Sequence, residues 1–277
     1  MMKTLSFANK NNVIVVGSLR CLIADFADDF VANCHNTLLI CLGNVGLGRG
    51  NISLQNMELE YLERICQSND NIVCFLRGNF DNPLYFNTVS RLEYFKGLSD
   101  YLKNVCFVED YDVIATSKGN ILCIGGGTDP RTPDGYVFLD PTSAVVDGAP
   151  HDQAWFKGQE IEKITLEPSI EKVEKEDGTI EEVDHNMFNN WAKMSKITMV
   201  MSSLPPERVQ TTCLEGIENV NAYIERTFLS MMVQHLKELG CQIKTWYWCT
   251  DNYVLKDAED DGVVFEGITN YTSKEIA

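Results

Sequence analysis

The sequence predicts a single α/β domain with a layered, largely parallel sheet, and three observations lead to that class. Short apolar runs alternate with amphipathic stretches of helical period through residues 13–83. Each apolar run in this region ends in a polar loop that contains glycine. Such alternation is typical of strand–helix–strand units, whose strands pair in parallel. With 277 residues, 44% of them hydrophobic, the chain is long enough to bury a large core.

The first part of the chain supplies three buried strands and two helices. Residues 13–16, 38–42 and 72–76 are continuous apolar runs of strand length, which indicates strands covered on both faces. The stretches between them carry apolar residues at helical spacing. These residues are Leu22, Ile23, Phe26, Phe30 and Val31 in the first stretch, and Leu54, Met57, Leu62 and Ile65 in the second.

The rest of the chain predicts further strands, one long helix and one insertion. Strands are expected at 105–108, 113–115, 121–124, 197–201 and 243–248, and near 263–265. A helix over 217–239 ends at Gly240. Residues 161–184 are polar and alternating around Asp177-Gly178, which predicts an exposed acidic β-hairpin. We therefore expect one domain over 1–277, with about 151–190 as an insertion within it.

Composition excludes several classes of function. The net charge of −17 argues against extended contact with nucleic acid. No apolar run approaches the roughly 20 residues of a membrane helix, and we see no secretory signal. The ten cysteines are scattered without a C-x-x-C pair, which favours reduced thiols and a cytoplasmic protein.

Polar motifs at the strand ends are the most informative part of the sequence. Gly17-Ser18-Leu19-Arg20 follows the first strand, and Gly43-Asn44-Val45-Gly46 follows the second. The third strand ends in Arg-Gly-Asn-Phe-Asp-Asn-Pro at 77–83. Glycine-rich residues 125–131, Ser202-Ser203-Leu204-Pro205-Pro206 and Cys249-Thr250-Asp251-Asn252 follow later strands. In α/β proteins, sites commonly lie at such strand ends.

Together these motifs resemble, in order, the blocks of the calcineurin-like metallophosphoesterase family, over nearly the whole chain. Trp155-Phe156 fits the insertion found in bacterial and phage members. The resemblance implies a layered β-sandwich flanked by helices. It also implies a site with two divalent metals, such as manganese, iron or zinc, held by carboxylates and imidazoles.

The residues at the metal positions depart from the family pattern. By the resemblance, Ser18 and Arg20 replace the first Asp and His, and Asn44 replaces the bridging Asp. Phe80 stands where a His would protonate the leaving group. Ser202, Thr250 and Asn252 replace the remaining histidines, so Asn79 is the retained ligand, beside the non-ligand Asp81. Without carboxylates to offset about +4 of metal charge, we expect no metal and no intact catalytic residue.

Three functions remain open. The first is an inactive phosphoesterase-like protein that serves as a protein-binding or structural unit, with an unidentified protein partner and no nucleic acid or membrane partner. The acidic hairpin and the region of Trp155 and Trp191 are candidate contact surfaces. The second is a metal-free phosphate or nucleotide binder that uses Asn79 and guanidinium groups. Its candidate arginines are Arg20, Arg49 and Arg77, with Arg131 nearby; Arg20 alternatively pairs with a carboxylate such as Asp81.

The third is a residual metal-dependent phosphoesterase with a rearranged site. Carboxylates for it would be Asp81, Asp129 and Asp251. Of the four histidines, we expect His235 to lie in the core on the long helix, and His151 and His185 to lie on the surface.

Overall fold

Two mixed β-sheets form the centre of the protein. The computed structural model describes residues 2–20, 22–47, 51–78, 81, 86, 101–126, 164–175, 179–209, 220–250, 258–260 and 262–276. The strands in chain order are β1 Thr4–Ser6, β2 Asn12–Val16, β3 Thr37–Leu42, β4 Ile72–Leu76, β5 Val105–Val108, β6 Val113–Thr116, β7 Gly119–Ile124, β8 Ile170–Glu174, β9 Ile180–Asp184, β10 Ile197–Ser202, β11 Thr245–Thr250, β12 Ala258–Asp260, β13 Val263–Thr269 and β14 Ser273–Glu275.

Both sheets are mostly parallel and contain a few antiparallel pairs, and the edge strands β1 and β5 also pair in parallel with their neighbours β6 and β4. One sheet has the order β14-β2-β3-β4-β5, and its pairs from β2 to β5 are parallel. The other has the order β1-β6-β7-β10-β11-β13-β12, with β7, β10, β11 and β13 in parallel. Antiparallel pairing joins β14 to β2, β12 to β13 and β6 to β7. Because parallel strands share one direction, their carboxyl ends meet at a common edge of each sheet.

Helices cover the outer face of each sheet. Helices α1 (Ile23–Asp29) and α2 (Ile52–Ser68), with a 3-10 turn at Val31–Asn33, pack on the five-stranded sheet. Helices α3 (Met187–Ser195) and α4 (Val220–Glu238) pack on the seven-stranded sheet. A third apolar cluster, which includes Val15, Ile40 and Met201, lies between the two sheets. The described part of the chain therefore stacks as helices, sheet, sheet and helices, and the predicted α/β class is confirmed.

Local sequence sets the helix ends. The Asn51 side chain accepts a hydrogen bond from the N–H of Leu54 at 3.1 Å and caps α2. Asn186 caps α3 by accepting from the N–H of Asn189 at 3.1 Å. After α4 the chain leaves the helix through Gly240, whose φ of +84° suits glycine.

Most predicted elements are present, with some differences in their bounds. The strand predicted at 243–248 begins at Thr245. The long helix is described from Val220, and its predicted residues 217–219 lie outside the described part. The predicted hairpin is formed by β8 and β9, although the turn at 176–178 lies outside the described residues. Helix α3 and the three-residue strands β1, β12 and β14 were not predicted.

The sequence predicts no membrane-spanning helix. Within the described residues, no helix is both long and apolar enough to cross a bilayer.

Candidate site at the strand ends

Glycines bring the loops after β3 and β4 into direct contact. A Cβ on Gly78 would lie 2.1 Å from the main-chain nitrogen of Asn44 and 2.2 Å from its Oδ1. A Cβ on Gly43 would lie 2.7 Å from the Cα of Gly78. Real Cβ atoms do not approach other atoms so closely, so these positions must be glycine for the loops to meet. The strand-end motifs at Gly43 and Gly78 therefore lie directly against each other.

Ser18 lies fully buried at the end of β2, and its hydroxyl is engaged within the protein. The hydroxyl donates to the main-chain carbonyl of Asn44 at 3.1 Å. The N–H of Arg20 donates to the same carbonyl at 3.0 Å and lies 3.4 Å from the Ser18 Oγ. These bonds tie the loop after β2 to the loop after β3.

Asn44 and Arg20 both adopt a left-handed backbone conformation, with φ of +51° and +45°. This conformation is tolerated well by asparagine and less well by arginine. Asn44 is half-buried, whereas Arg20 is exposed to solvent. Arg20 therefore carries its positive charge at the solvent side of the cluster.

Asp81 is fully buried and accepts hydrogen bonds from four main-chain N–H groups. The donors are Gly46 at 2.6 Å, Gly78 at 2.8 Å, Leu47 at 3.1 Å and Val45 at 3.3 Å. Complete burial raises the pKa of this carboxyl above its ordinary value, and the four donors oppose that shift. Three of the donors are consecutive residues, an arrangement that forms an anion-binding concavity. In this protein the concavity is filled by the chain's own carboxylate.

Arg77 joins the two sheets from a buried position. Its Nη2 lies 3.1 Å from Oδ2 of Asp110, and both side chains are almost wholly buried. The other oxygen of Asp110 accepts the N–H of Gly125 at 3.1 Å, and the N–H of Gly126 donates to the Arg77 carbonyl at 2.6 Å. A β-bridge between Gly78 and Gly126 continues this connection. The Arg77 guanidinium is therefore held in an internal ion pair beneath the cluster.

Ser202 is the last residue of β10, and its hydroxyl also forms its hydrogen bonds within the protein. Its hydroxyl accepts the indole N–H of Trp246 at 2.7 Å and donates to the Leu204 carbonyl at 2.5 Å. The following loop is fixed by the buried Arg226, which donates to the carbonyls of Pro205, Pro206, Glu207 and Val209. The serine that stands at a predicted metal position thus serves as a link between strand, loop and core.

Several residues named from the sequence lie outside the described part of the chain. These are Arg49, Asn79, Phe80, Asn252, Asp129, Arg131, Asp251, His151 and Trp155; Thr250 is described only as the last residue of β11. Among the described residues, the structure groups Ser18, Arg20, Asn44 and Asp81 at adjoining loops. It places Arg77 below them.

The described ligand positions do not suit a divalent metal. Positions 18 and 202 offer hydroxyls that already donate to carbonyl groups, and position 44 offers a neutral amide. No group of three or more His, Cys, Asp or Glu side chains that could hold a metal occurs in the described part of the chain. The buried Asp81 carboxylate faces N–H donors, which are partners for an anion.

Asp110, Trp246 and Arg226 hold this region together and were not identified from the sequence. Asp110 follows β5 in an unremarkable Glu-Asp-Tyr run, and Trp246 reads as an ordinary strand residue. Arg226 lies in the long helix, where arginine is common. Only the tertiary contacts give these residues their roles.

A comparison of this chain with family models, curated proteins and solved structures found no match in any of the three.

Proposed function

We propose that this chain is a metallophosphoesterase-like protein that has lost the metal-dependent reaction and acts as a protein-binding or structural unit. The observation that carries the proposal is that the side chains at two predicted metal positions form their hydrogen bonds within the protein. Ser18 is bonded to the Asn44 carbonyl, and Ser202 lies between Trp246 and Leu204. A catalytic site keeps its polar groups available for substrate or metal, whereas these groups stabilise the loops.

Charge supports the same conclusion. A binuclear site needs anionic ligands to balance its two cations. The side chains of Ser18, Asn44 and Ser202 are uncharged, and Arg20 adds a positive charge. The family fold would then persist as a scaffold on which new surfaces can act.

The phosphate-binding alternative receives less support from the geometry. The N–H groups of Val45, Gly46 and Leu47 point to Asp81, so they are already bound to an anion. Arg77 is buried against Asp110. Arg20 is the described arginine that lies exposed at the cluster, and a single exposed guanidinium gives weak phosphate affinity.

Metal content and hydrolysis test the proposal together. The protein purified with added Mn²⁺ should bind fewer than one metal per chain after desalting, and should not hydrolyse bis(p-nitrophenyl) phosphate. Two tightly bound metals per chain, or hydrolysis that disappears in Asn44→Ala, would disprove it. Thermal stabilisation by inorganic phosphate that is lost in Arg20→Ala, with Arg64→Ala on α2 as the matched control, would favour the phosphate-binding function instead.

A further inference from the structure

A groove lies between the β8–β9 hairpin and the helices α3 and α4. Its volume is about 820 Å³. One wall is formed by the hairpin and the residues before it, and the other by α3 and the last turn of α4. We refer to this feature as the hairpin groove. Its lining includes Glu167, Ile170, Val183, Asp184, His235 and Glu238.

The hairpin forms a two-stranded sheet, and no further strand of the described residues pairs with it. Eight of the ten strand residues are exposed, and Ile180 and Ile170 are 69% and 49% exposed. The register pairs Ile170 with Asp184 and Glu174 with Ile180, so both isoleucines lie on the same face. A two-stranded sheet gains little stability alone, and a bound partner segment would cover this exposed face.

The base of the hairpin is fixed to the helices, which gives the groove a defined shape. Asp184 accepts the N–H groups of Ser169 and Asn186, each at 2.9 Å, and the side-chain amide of Asn189 at 2.8 Å. The Asn189 Oδ1 lies 2.6 Å from Nε2 of His235 on α4. His235 is therefore half-buried and not in the core as predicted, and it connects α4 to the hairpin through Asn189 on α3.

The chemistry of the lining selects the partner. Five carboxylates line the groove, at Glu167, Glu181, Glu182, Asp184 and Glu238, beside Lys193. Glu182 and Glu181 form ion pairs with Lys172 and Lys175 of the hairpin itself, at 3.4 and 2.8 Å, so the negative charge left to a partner comes chiefly from Glu167 and Glu238. Apolar side chains of Leu166, Ile170, Val183 and Leu239 lie among them. The carboxylates are spread along the groove and do not converge as a metal site within the described residues. A ligand with separated positive charges that can reach Glu167 and Glu238, and with aliphatic side chains between them, matches this lining.

We propose that the hairpin groove binds an extended segment of a partner protein that is rich in lysine or arginine and carries aliphatic side chains. The inference rests on the proposed binding role and names its surface and the chemistry of the partner. Nucleic acids, anionic lipid surfaces and a second copy of this chain are disfavoured as occupants because each would bring negative charge, the last with a net −17. Charge complementarity of this kind gives orientation and a fast association rate.

An array of immobilised random-sequence peptides of about ten residues tests the proposal, since such a length spans a groove-bound strand. The full chain should retain peptides enriched in lysine or arginine and in aliphatic residues. For a retained peptide, the double variant Glu167→Lys/Glu238→Lys should bind about tenfold or more weakly in solution. Both positions are exposed, so the variant should fold, which circular dichroism would verify.

A matched control separates the groove from the overall charge. The variant Asp29→Lys/Glu60→Lys makes the same change in net charge on the α1–α2 side, where both residues are exposed. It should bind the retained peptides within about twofold of the unmodified chain. Retained peptides without basic enrichment, or equal weakening by the two variants, would overturn the inference. Either result leaves the metal and hydrolysis experiment unaffected, so the two proposals fail separately.

Discussion

Trp246 and Trp248 occupy the same face of β11 and differ in one hydrogen bond. Both rings are buried in the cluster between the seven-stranded sheet and its helices. The indole N–H of Trp246 donates to Ser202 at 2.7 Å, whereas the buried Nε1 of Trp248 has no hydrogen-bond partner among the described residues. Comparing the same substitution at the two positions therefore measures how much the Trp246–Ser202 hydrogen bond contributes to the free energy of unfolding.

The first prediction is that Trp246→Phe destabilises the protein more than Trp248→Phe. Both changes remove a similar apolar area. Trp246→Phe also removes a buried hydrogen bond, while Trp248→Phe removes a donor that is unsatisfied in the folded state. The free energy of unfolding should differ between the variants by about 1–3 kcal/mol, measured by urea denaturation. Ser202→Ala should reduce the difference, because Trp246 then also lacks its acceptor. Equal effects of the two substitutions would contradict this account.

The buried strands could be predicted from the sequence because burial on both faces requires a continuous run of apolar residues. In β3 every residue is buried, and the run of apolar residues is unbroken. The strands β1, β12 and β14 have three residues each, which is too short for a pattern. Helix α3 was missed because the polar Asn189 lies on its buried face beside Phe188 and Ala192, and its start depends on the Asn186 cap.

The candidate site was predicted only in its outline. Strand-end glycines and polar residues indicated which loops would matter. The pairing of Arg77 with Asp110, and of Ser202 with Trp246, joins residues 33 and 44 positions apart in the chain. Such pairs depend on which strands lie side by side, β4 with β5 and β10 with β11, and local residue patterns do not encode that order.

Gly78 provides the second prediction, with Gly240 as its comparison. Gly78→Ala should cost about 3 kcal/mol or more, because the added Cβ would overlap the buried main chain of Asn44. Gly240 has φ of +84° and open space around the position of a Cβ. Gly240→Ala should therefore cost only the conformational strain of about 1–2 kcal/mol. Thermal unfolding of the two variants checks the order. A Gly78→Ala protein as stable as Gly240→Ala would show that the loops do not need this contact.

The third prediction concerns the Asp81 carboxylate, which accepts hydrogen bonds from four main-chain N–H groups. Asp81→Asn keeps the shape of the side chain but turns its NH₂ group towards at least one main-chain donor. It should destabilise the protein by about 2–4 kcal/mol. Asp29→Asn, the same exchange at an exposed position, should change the unfolding free energy by less than about 0.5 kcal/mol. If Asp81→Asn were as mild as this control, the carboxylate would not be holding the loop after β3.

The fourth prediction is a pH dependence that arises from Asp112. This carboxyl is buried beside β1, where it accepts the N–H of Lys3 at 2.9 Å and lies 3.5 Å from the lysine Nζ. Burial raises its pKa from 3.8 to about 6, and the Lys3 contacts only partly oppose the shift. Since the folded state holds this proton more tightly than the unfolded state, the stabilising contribution is present below about pH 4 and is lost as the pH rises to about 6.

The difference in unfolding free energy between the native chain and Asp112→Asn isolates that contribution. Relative to the variant, the native chain should lose roughly 2–3 kcal/mol between pH 4 and pH 6. Asp184→Asn provides a control of opposite sign, because hydrogen bonds from the Asn189 side chain and the Asn186 N–H lower the pKa of Asp184. Relative to Asp184→Asn, the native chain should lose stability as the pH falls through the acidic range. Denaturant titrations at several pH values measure both differences, and an Asp112→Asn difference that stays constant with pH would show that Asp112 titrates normally in the folded protein.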